Sequence, residues 1–318
     1  MYSFYRLVFI LSLTILASGC VTQSALDTGF DRSANAVELT ATPFHPQSQY
    51  QCGPASLATV LNSTGLDIDP DRLAGDVYLP DRKGTLQLEM IAAVRRYGRV
   101  PYDPGDDLQS ILDQLNHGQP VLVFLNLGLK AFPIWHYAVV IGYDPGLDTV
   151  IMRSGTDYRL LMPRKKFLSA WLKSDNWSLT VLPAGELPAA IDVGRYIRSI
   201  IALESVDQWR VAELSYSAVL KQWPTNILAR FGLANTMLAQ GRLDEAVAQY
   251  EEVLKLDANH KQTRNNLADT LLRLGRCEEA YATLEQVVIR NESDTAIGRA
   301  IWKTHSEIQE ICFHGSIK

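Results

Sequence analysis

From about residue 44 to residue 183 the chain interleaves helical and strand-like patterns of apolar residues. Apolar positions at helical spacing predict helices near 54–63, 85–97 and 106–117. Apolar runs bounded by turn residues predict strands near 120–126, 136–143 and 149–154. Such a mixed order describes an α+β domain. Ahead of it, residues 7–16 are apolar apart from Ser12 and Thr14, about ten positions where a membrane-spanning helix needs roughly 20. Residues 21–40 are rich in Ser, Thr, Ala and Asp and read as a tether. From residue 193 onward the pattern is helical throughout.

That last region repeats. At an offset of 34 residues, 193–226 aligns with 227–260 and with 261–294. Ala212, Ala246 and Ala280 share one position, where two helices must approach closely, and Tyr216, Tyr250 and Leu284 share another, followed by Val219, Val253 and Val287. Leu233-Ala234 and Leu267-Ala268 correspond, but the first unit has Ser199-Ile200; Gly241 and Gly275 correspond, but the first unit has Asp207. The spacing resembles the 34-residue tetratricopeptide repeat, a helix-turn-helix that buries its apolar face only by stacking. Ile297, Ala300, Ile301, Ile308 and Ile311 suit a capping helix over 296–312. Cys277 and Cys312 lie 35 residues apart, nearly one repeat, and are expected side by side in the stack. They are either bridged, as an oxidising compartment favours, or two buried thiols.

At the other end, Met1 and Arg6 supply positive charge before the apolar stretch, and Ala17, Ser18 and Gly19 are the small residues a signal peptidase accepts. Ala17-Ser18-Gly19-Cys20 resembles the bacterial lipoprotein cleavage box, which implies acylation of Cys20 and an anchor of buried acyl chains. The expected location is the bacterial cell envelope, lipid-anchored and facing the periplasm, most simply at the outer membrane.

Composition narrows the function. The hydrophobic share is 47% and the charged share 20%, a globular composition. Thirty Lys and Arg against 35 Asp and Glu leave a net charge of −5, so there is no basic surplus for a nucleic acid. No His-Glu-x-x-His, paired Cys-x-x-Cys, acidic calcium loop or Gly-rich phosphate loop occurs, so neither metal nor cofactor is expected.

The chemistry-bearing stretch is 46–57, with Gln51-Cys52-Gly53-Pro54-Ala55 at its centre. Pro54 suits the first turn of a helix, and Leu57, Ala58, Val60 and Leu61 supply a buried stripe behind it. Cys52 therefore stands at a helix N-terminus, where unpaired amides and the helix dipole favour a thiolate. Of six histidines, His260, His305 and His314 fall in the repeats or tail, His45 precedes a proline, and His117 sits at a helix end. His136 remains, opening the strand His136-Tyr137-Ala138-Val139-Val140-Ile141-Gly142-Tyr143.

These residues, with Gln47, resemble the bacteriocin-processing type of papain-like cysteine peptidase over about residues 42–182. The combination with a lipoprotein signal and a tetratricopeptide tail is similar to a subset of such domains. The resemblance implies that Cys52 is the nucleophile, His136 the general base and then acid, and Gln47 the oxyanion-hole donor beside the Cys52 amide. The family's glutamine usually stands six residues before the cysteine and Gln47 stands five before, so Gln49 and Gln51 are alternatives. The family's orienting aspartate aligns on Ser154. The turn Asp144-Pro145-Gly146-Leu147-Asp148 centres a hairpin that sets position 136 opposite about 156, so Ser154, Thr156 and Asp157 are the candidates. Asp157 is narrowly preferred because it can supply charge.

The expected organisation is a signal peptide at 1–19, a tether at 20–40, an α+β papain-like cysteine peptidase domain at 41–185 and an all-α tetratricopeptide domain at 193–318. The leading function is a lipid-anchored thiol peptidase whose repeats dock a peptide or protein. The alternatives are an inactive binding protein of the same fold and a thiol acyltransferase or amidase. Trp135, beside His136, is expected either to line a cleft or to pack.

Overall fold

The computed structural model describes residues 35–46, 52–82, 84–288 and 295–314. The readings of the signal peptide, Cys20, Gln47, Gln49 and Gln51 lie outside these residues.

Nine strands are described: β1 Val37–Glu38, β2 Tyr78–Leu79, β3 Gly84–Thr85, β4 Val100–Tyr102, β5 Val121–Asn126, β6 Trp135–Asp144, β7 Thr149–Ser154, β8 Asp157–Pro163 and β9 Ser178–Leu182. Seven form one sheet in the order β4-β9-β5-β6-β7-β8, with β1 added to β6, and β2 pairs with β3 apart from it. All its ladders are antiparallel. Val139 pairs with Arg153 and Val140 with Met152, the register expected of the hairpin, and an irregularity between Val140 and Gly142 shifts the remaining pairs by one residue.

Helices cover both faces. On one lie α1 (Cys52–Asn62), α2 (Pro70–Val77) and α3 (Gln87–Arg96), whose Leu57, Leu61, Leu73 and Met90 pack with Tyr137, Val139 and Leu122. On the other lie α4 (Leu108–Asn116) and α5 (Arg164–Leu172), whose Ile111, Leu112 and Trp171 pack with Ala138, Val140 and Val123. Successive β6 side chains thus enter opposite cores, which is why that strand reads as an unbroken apolar run instead of an alternating one. β4, β8, β9, α2 and α5 had no clear sequence signal: β4 is three residues long, and β8 is a largely exposed strand at the sheet edge.

The helices α6 (Val193–Glu204), α7 (Trp209–Gln222), α8 (Ile227–Ala239), α9 (Leu243–Leu256), α10 (Lys261–Arg273) and α11 (Cys277–Val288) pair as three helix-turn-helix units, closed by α12 (Ala296–Ile308). Ala212, Ala246, Ala280, Tyr216, Tyr250 and Leu284 are all fully buried. The turn residues Gly241 and Gly275 have φ of +75°, and Asp207 takes the same left-handed form at +57°, so the first unit keeps the turn with a different residue. Each unit also begins on a cap: Asp192, Asn226 and His260 accept from the amides of Arg195, Ala229 and Thr263 at 2.8, 2.9 and 3.3 Å. Cys277 and Cys312 form a disulfide with their Cα atoms 5.7 Å apart.

The two regions share one core. Val100, Tyr102 and Leu182, from the β4–β9 edge, cluster with Tyr196, Ile197 and Ile200 of α6. The seam is also polar: Tyr102 accepts from the Asp192 amide at 3.1 Å, and Gln114 donates to the Ala189 carbonyl at 2.8 Å.

Candidate active site

Cys52 is the first residue of α1, and Gly53 through Leu61 behind it are all buried. A helix start leaves its first amides without intrahelical acceptors, and Cys52 stands at that end. Gly53 is required by space: a Cβ there would lie 2.5 Å from Thr85 Oγ1. One turn on, Ser56 donates to the Tyr137 carbonyl at 3.2 Å, a buried bond that ties the helix of Cys52 to the strand residue following His136. Burial, and then the neighbouring Cys52, push the Tyr137 phenol above its ordinary pKa, and that phenol donates to the Thr85 carbonyl at 3.1 Å. Cys52 itself is half-buried and is the free cysteine among the described residues.

His136 is the second residue of β6. Its Nε2 lies 2.8 Å from Ser154 Oγ at the end of β7. When the serine oxygen accepts from Nε2–H, Nδ1 keeps its lone pair and is the basic atom of the ring. Burial lowers the imidazole pKa, which favours that neutral form. Asp157, the preferred carboxylate, does not fill this role: it is exposed, and no hydrogen bond joins it to His136. The β7–β8 turn pairs it with Ser154 through the backbone only. Thr156 is also exposed, in the turn itself.

Supporting residues emerge that the sequence reading missed. Buried Asn126 accepts from the amides of Gly128 and Ile134 at 2.9 and 3.0 Å, closing the loop that leads into His136. Buried Arg153, beside Ser154, donates to the carbonyls of Thr40 and Thr42 at 3.0 Å and to that of Tyr158. An Asn two residues before a Gly is a turn signal that could have marked the first; an arginine inside an apolar strand could have marked the second. Trp135 is 49% exposed and stacks on Phe124 with ring centroids 5.0 Å apart, and Phe124 in turn touches Tyr137 at 4.5 Å. Trp135 therefore both packs and presents a face to solvent.

Four of the other five histidines are placed elsewhere. His45 meets Asn62 at 3.1 Å, His117 ends α4, His260 caps α10, and His305 is buried against Tyr281. Among the described residues no group of three His, Cys, Asp or Glu side chains gathers as metal ligands.

A model of the peptidase C39-like family matches residues 39–178, and tetratricopeptide-repeat models match residues 199–261 and 237–301. Among solved structures, a putative C39-like peptidase from Bacillus anthracis is 20% identical, covering 47% of this chain and 98% of its own, with a TM-score of 0.40. The peptidase domain of Streptococcus ComA, a bi-functional ABC transporter involved in quorum sensing, is 22% identical over 45% of this chain and 98% of its own, with a TM-score of 0.37. The Yersinia enterocolitica type III secretion translocator chaperone SycD is 16% identical over 36% of this chain and 80% of its own, with a TM-score of 0.33. No curated protein matches the chain. The chain joins an N-terminal sheet domain of the peptidase C39-like family to a C-terminal helical array of tetratricopeptide repeats.

Proposed function

We propose that the protein is a cysteine peptidase of the bacterial cell envelope. The observation that carries this reading is the Ser56–Tyr137 bond, which fixes the helix headed by Cys52 against the strand that carries His136. In the first step the Cys52 sulfur attacks a peptide carbonyl carbon, and its proton passes to Nδ1 of His136. The oxyanion is met by the Cys52 amide at the helix start, with a glutamine at 47, 49 or 51 as its second donor. The C–N bond then breaks as His136 returns the proton to the leaving amine. Water, deprotonated by His136, attacks the thioester; the acid leaves and the thiol recovers its proton.

The repeats dock the substrate or a protein partner, and Cys20 carries the lipid that holds the protein on the periplasmic side of the outer membrane. The Cys277–Cys312 bridge supports that location, because disulfides persist in oxidising compartments.

The test is incubation of the full chain with a mixed peptide library, reading new termini by mass spectrometry. New termini that vanish with Cys52→Ala support the reading. A serine as the orienting group favours one alternative, a binding protein that keeps this fold; it predicts no new termini and a biological role untouched by Cys52→Ala. Turnover only with an added amine, or only with a non-peptide amide, marks an acyltransferase or amidase instead.

A further inference from the structure

The turn that joins β5 to β6 carries apolar side chains into solvent. Within residues 127–135, Leu127, Leu129, Phe132, Ile134 and Trp135 are 44, 68, 77, 62 and 49% exposed. Single exposed apolar residues are ordinary on a protein surface. Five on one short hairpin are a concentration of the kind that marks an interaction site.

The hairpin is held in this shape, and its backbone is largely paired within itself. The Leu127 amide donates to the Ile134 carbonyl at 2.9 Å, and Leu129 and Phe132 exchange amide-to-carbonyl bonds at 3.2 Å. The amides of Gly128 and Ile134 donate to buried Asn126, whose side-chain nitrogen donates in turn to the Leu129 carbonyl at 3.4 Å. Lys173, just after α5, donates to the Gly128 carbonyl at 3.0 Å. Gly128 is required here, because a Cβ would lie 2.5 Å from the Phe132 carbonyl oxygen. Pro133 has no amide hydrogen, so from Leu127 to Ile134 only the tip amides of Lys130 and Ala131 find no acceptor among the described residues. Internal pairing of this kind is what a peptide backbone needs where water is excluded.

Charge and shape select the occupant. Lys130 at the tip and Lys173 at the base are both exposed, and the sequence holds no acidic residue between Asp113 and Asp144. Asp175, two residues beyond Lys173, lines a cavity with Asp103 and Asp106, and no hydrogen bond joins it to the hairpin. Aromatic and aliphatic side chains fringed by lysines suit the interface of an anionic bilayer. A site for a peptide side chain is concave, whereas these side chains stand outward from a turn. A second copy of the chain would need about 20 residues or more from each partner, far more than this hairpin supplies. We propose that residues 127–135 insert into the interfacial layer of an anionic phospholipid membrane, with Leu129 and Phe132 leading. His136 follows Trp135 directly, so insertion holds the candidate active site at the membrane surface.

The proposal rests on the hairpin, and neither the peptidase reading nor an acyl group on Cys20 enters it. Its test uses the full chain carrying Cys20→Ser and Cys52→Ala, with a polarity-sensitive fluorophore on Ala131→Cys. A second sample carries the label on Lys221→Cys, an exposed position of α7. Residues 7–16 are apolar enough to bring either sample to a vesicle, so the readout is local to the label. With vesicles of phosphatidylethanolamine and phosphatidylglycerol, the label at 131 is expected to shift to the blue and brighten, while the label at 221 stays water-like. Phe132→Asp is expected to raise the lipid concentration at half-change about tenfold or more, with the thermal midpoint unchanged. Lys130→Gln is expected to reduce the preference for these vesicles over phosphatidylcholine alone about fivefold. A label at 131 that stays water-like on both vesicles, or a shift that Phe132→Asp leaves unchanged, overturns the proposal. So does a shift that appears without lipid, either as the protein is concentrated, which marks a second copy, or on adding an apolar peptide, which marks a substrate.

Discussion

His136 is oriented by a hydroxyl: its Nε2 meets Ser154 Oγ at 2.8 Å, and among the described residues no carboxylate hydrogen-bonds to the ring. In Ser154→Ala the ring loses this partner in a buried setting, at a cost of about 1 to 3 kcal/mol, or roughly 10- to 100-fold in kcat/KM. Ser154→Asp adds a negative charge beside the imidazole, which raises its pKa and moves the acid limb of the pH–rate profile upward. Asp157→Asn is expected to change kcat/KM by no more than about twofold, as for an ordinary surface substitution. Steady-state kinetics of the three variants across pH checks all of this.

Acid destabilisation follows from burial of two histidines. His136 is lowered by burial alone; His45 is lowered by burial, opposed by Asp69 and Asp67. Both have folded pKa values below the unfolded value of about 6.5, so the unfolded chain binds more protons between the two values. Stability therefore falls as pH drops below about 6.5 and is indifferent to these groups above it. Denaturant melts from pH 7 downward are expected to show this slope, and His136→Gln is expected to flatten part of it.

The Cys277–Cys312 bridge closes a loop across 35 residues, worth about 3 to 4 kcal/mol by chain entropy. It fastens the turn that follows α12 to the start of α11. Reduction is expected to loosen the capping helix first, so that limited proteolysis with reductant cuts within 296–314 before it cuts the sheet domain.

Gly232 packs face-on to a neighbour from the preceding repeat: a Cβ there would lie 2.2 Å from Tyr216 Cζ. That ring is fully buried, and its hydroxyl is held by Glu204 at 2.5 Å, so it has nowhere to retreat. Gly232→Ala is expected to cost about 1 to 3 kcal/mol through overpacking, read as a lower midpoint in thermal unfolding, whereas Gly241→Ala acts through its positive φ alone.

Much of this fold can be read from the residues, for identifiable reasons. The repeats declare themselves because Ala212, Ala246 and Ala280 must be small for helices to touch, and that demand recurs at a fixed spacing. Cys52 and His136 stand out because Pro54 marks a helix start and an apolar run follows the histidine. The Ser154 partnership was harder to see, since it depends on where β7 ends and which way a turn carries Asp157.

The central claim is that Cys52 and His136 act as a nucleophile–base pair. The direct measurement is the alkylation rate of Cys52 by iodoacetamide across about pH 4 to 9, a range that brackets depressed and ordinary thiol pKa values, in the wild-type chain and in His136→Ala. The account predicts rapid modification of Cys52 below about pH 7 in the wild type, slowed about tenfold or more by His136→Ala. A rate that rises only near the ordinary thiol pKa of about 8.5 and is indifferent to His136 contradicts it.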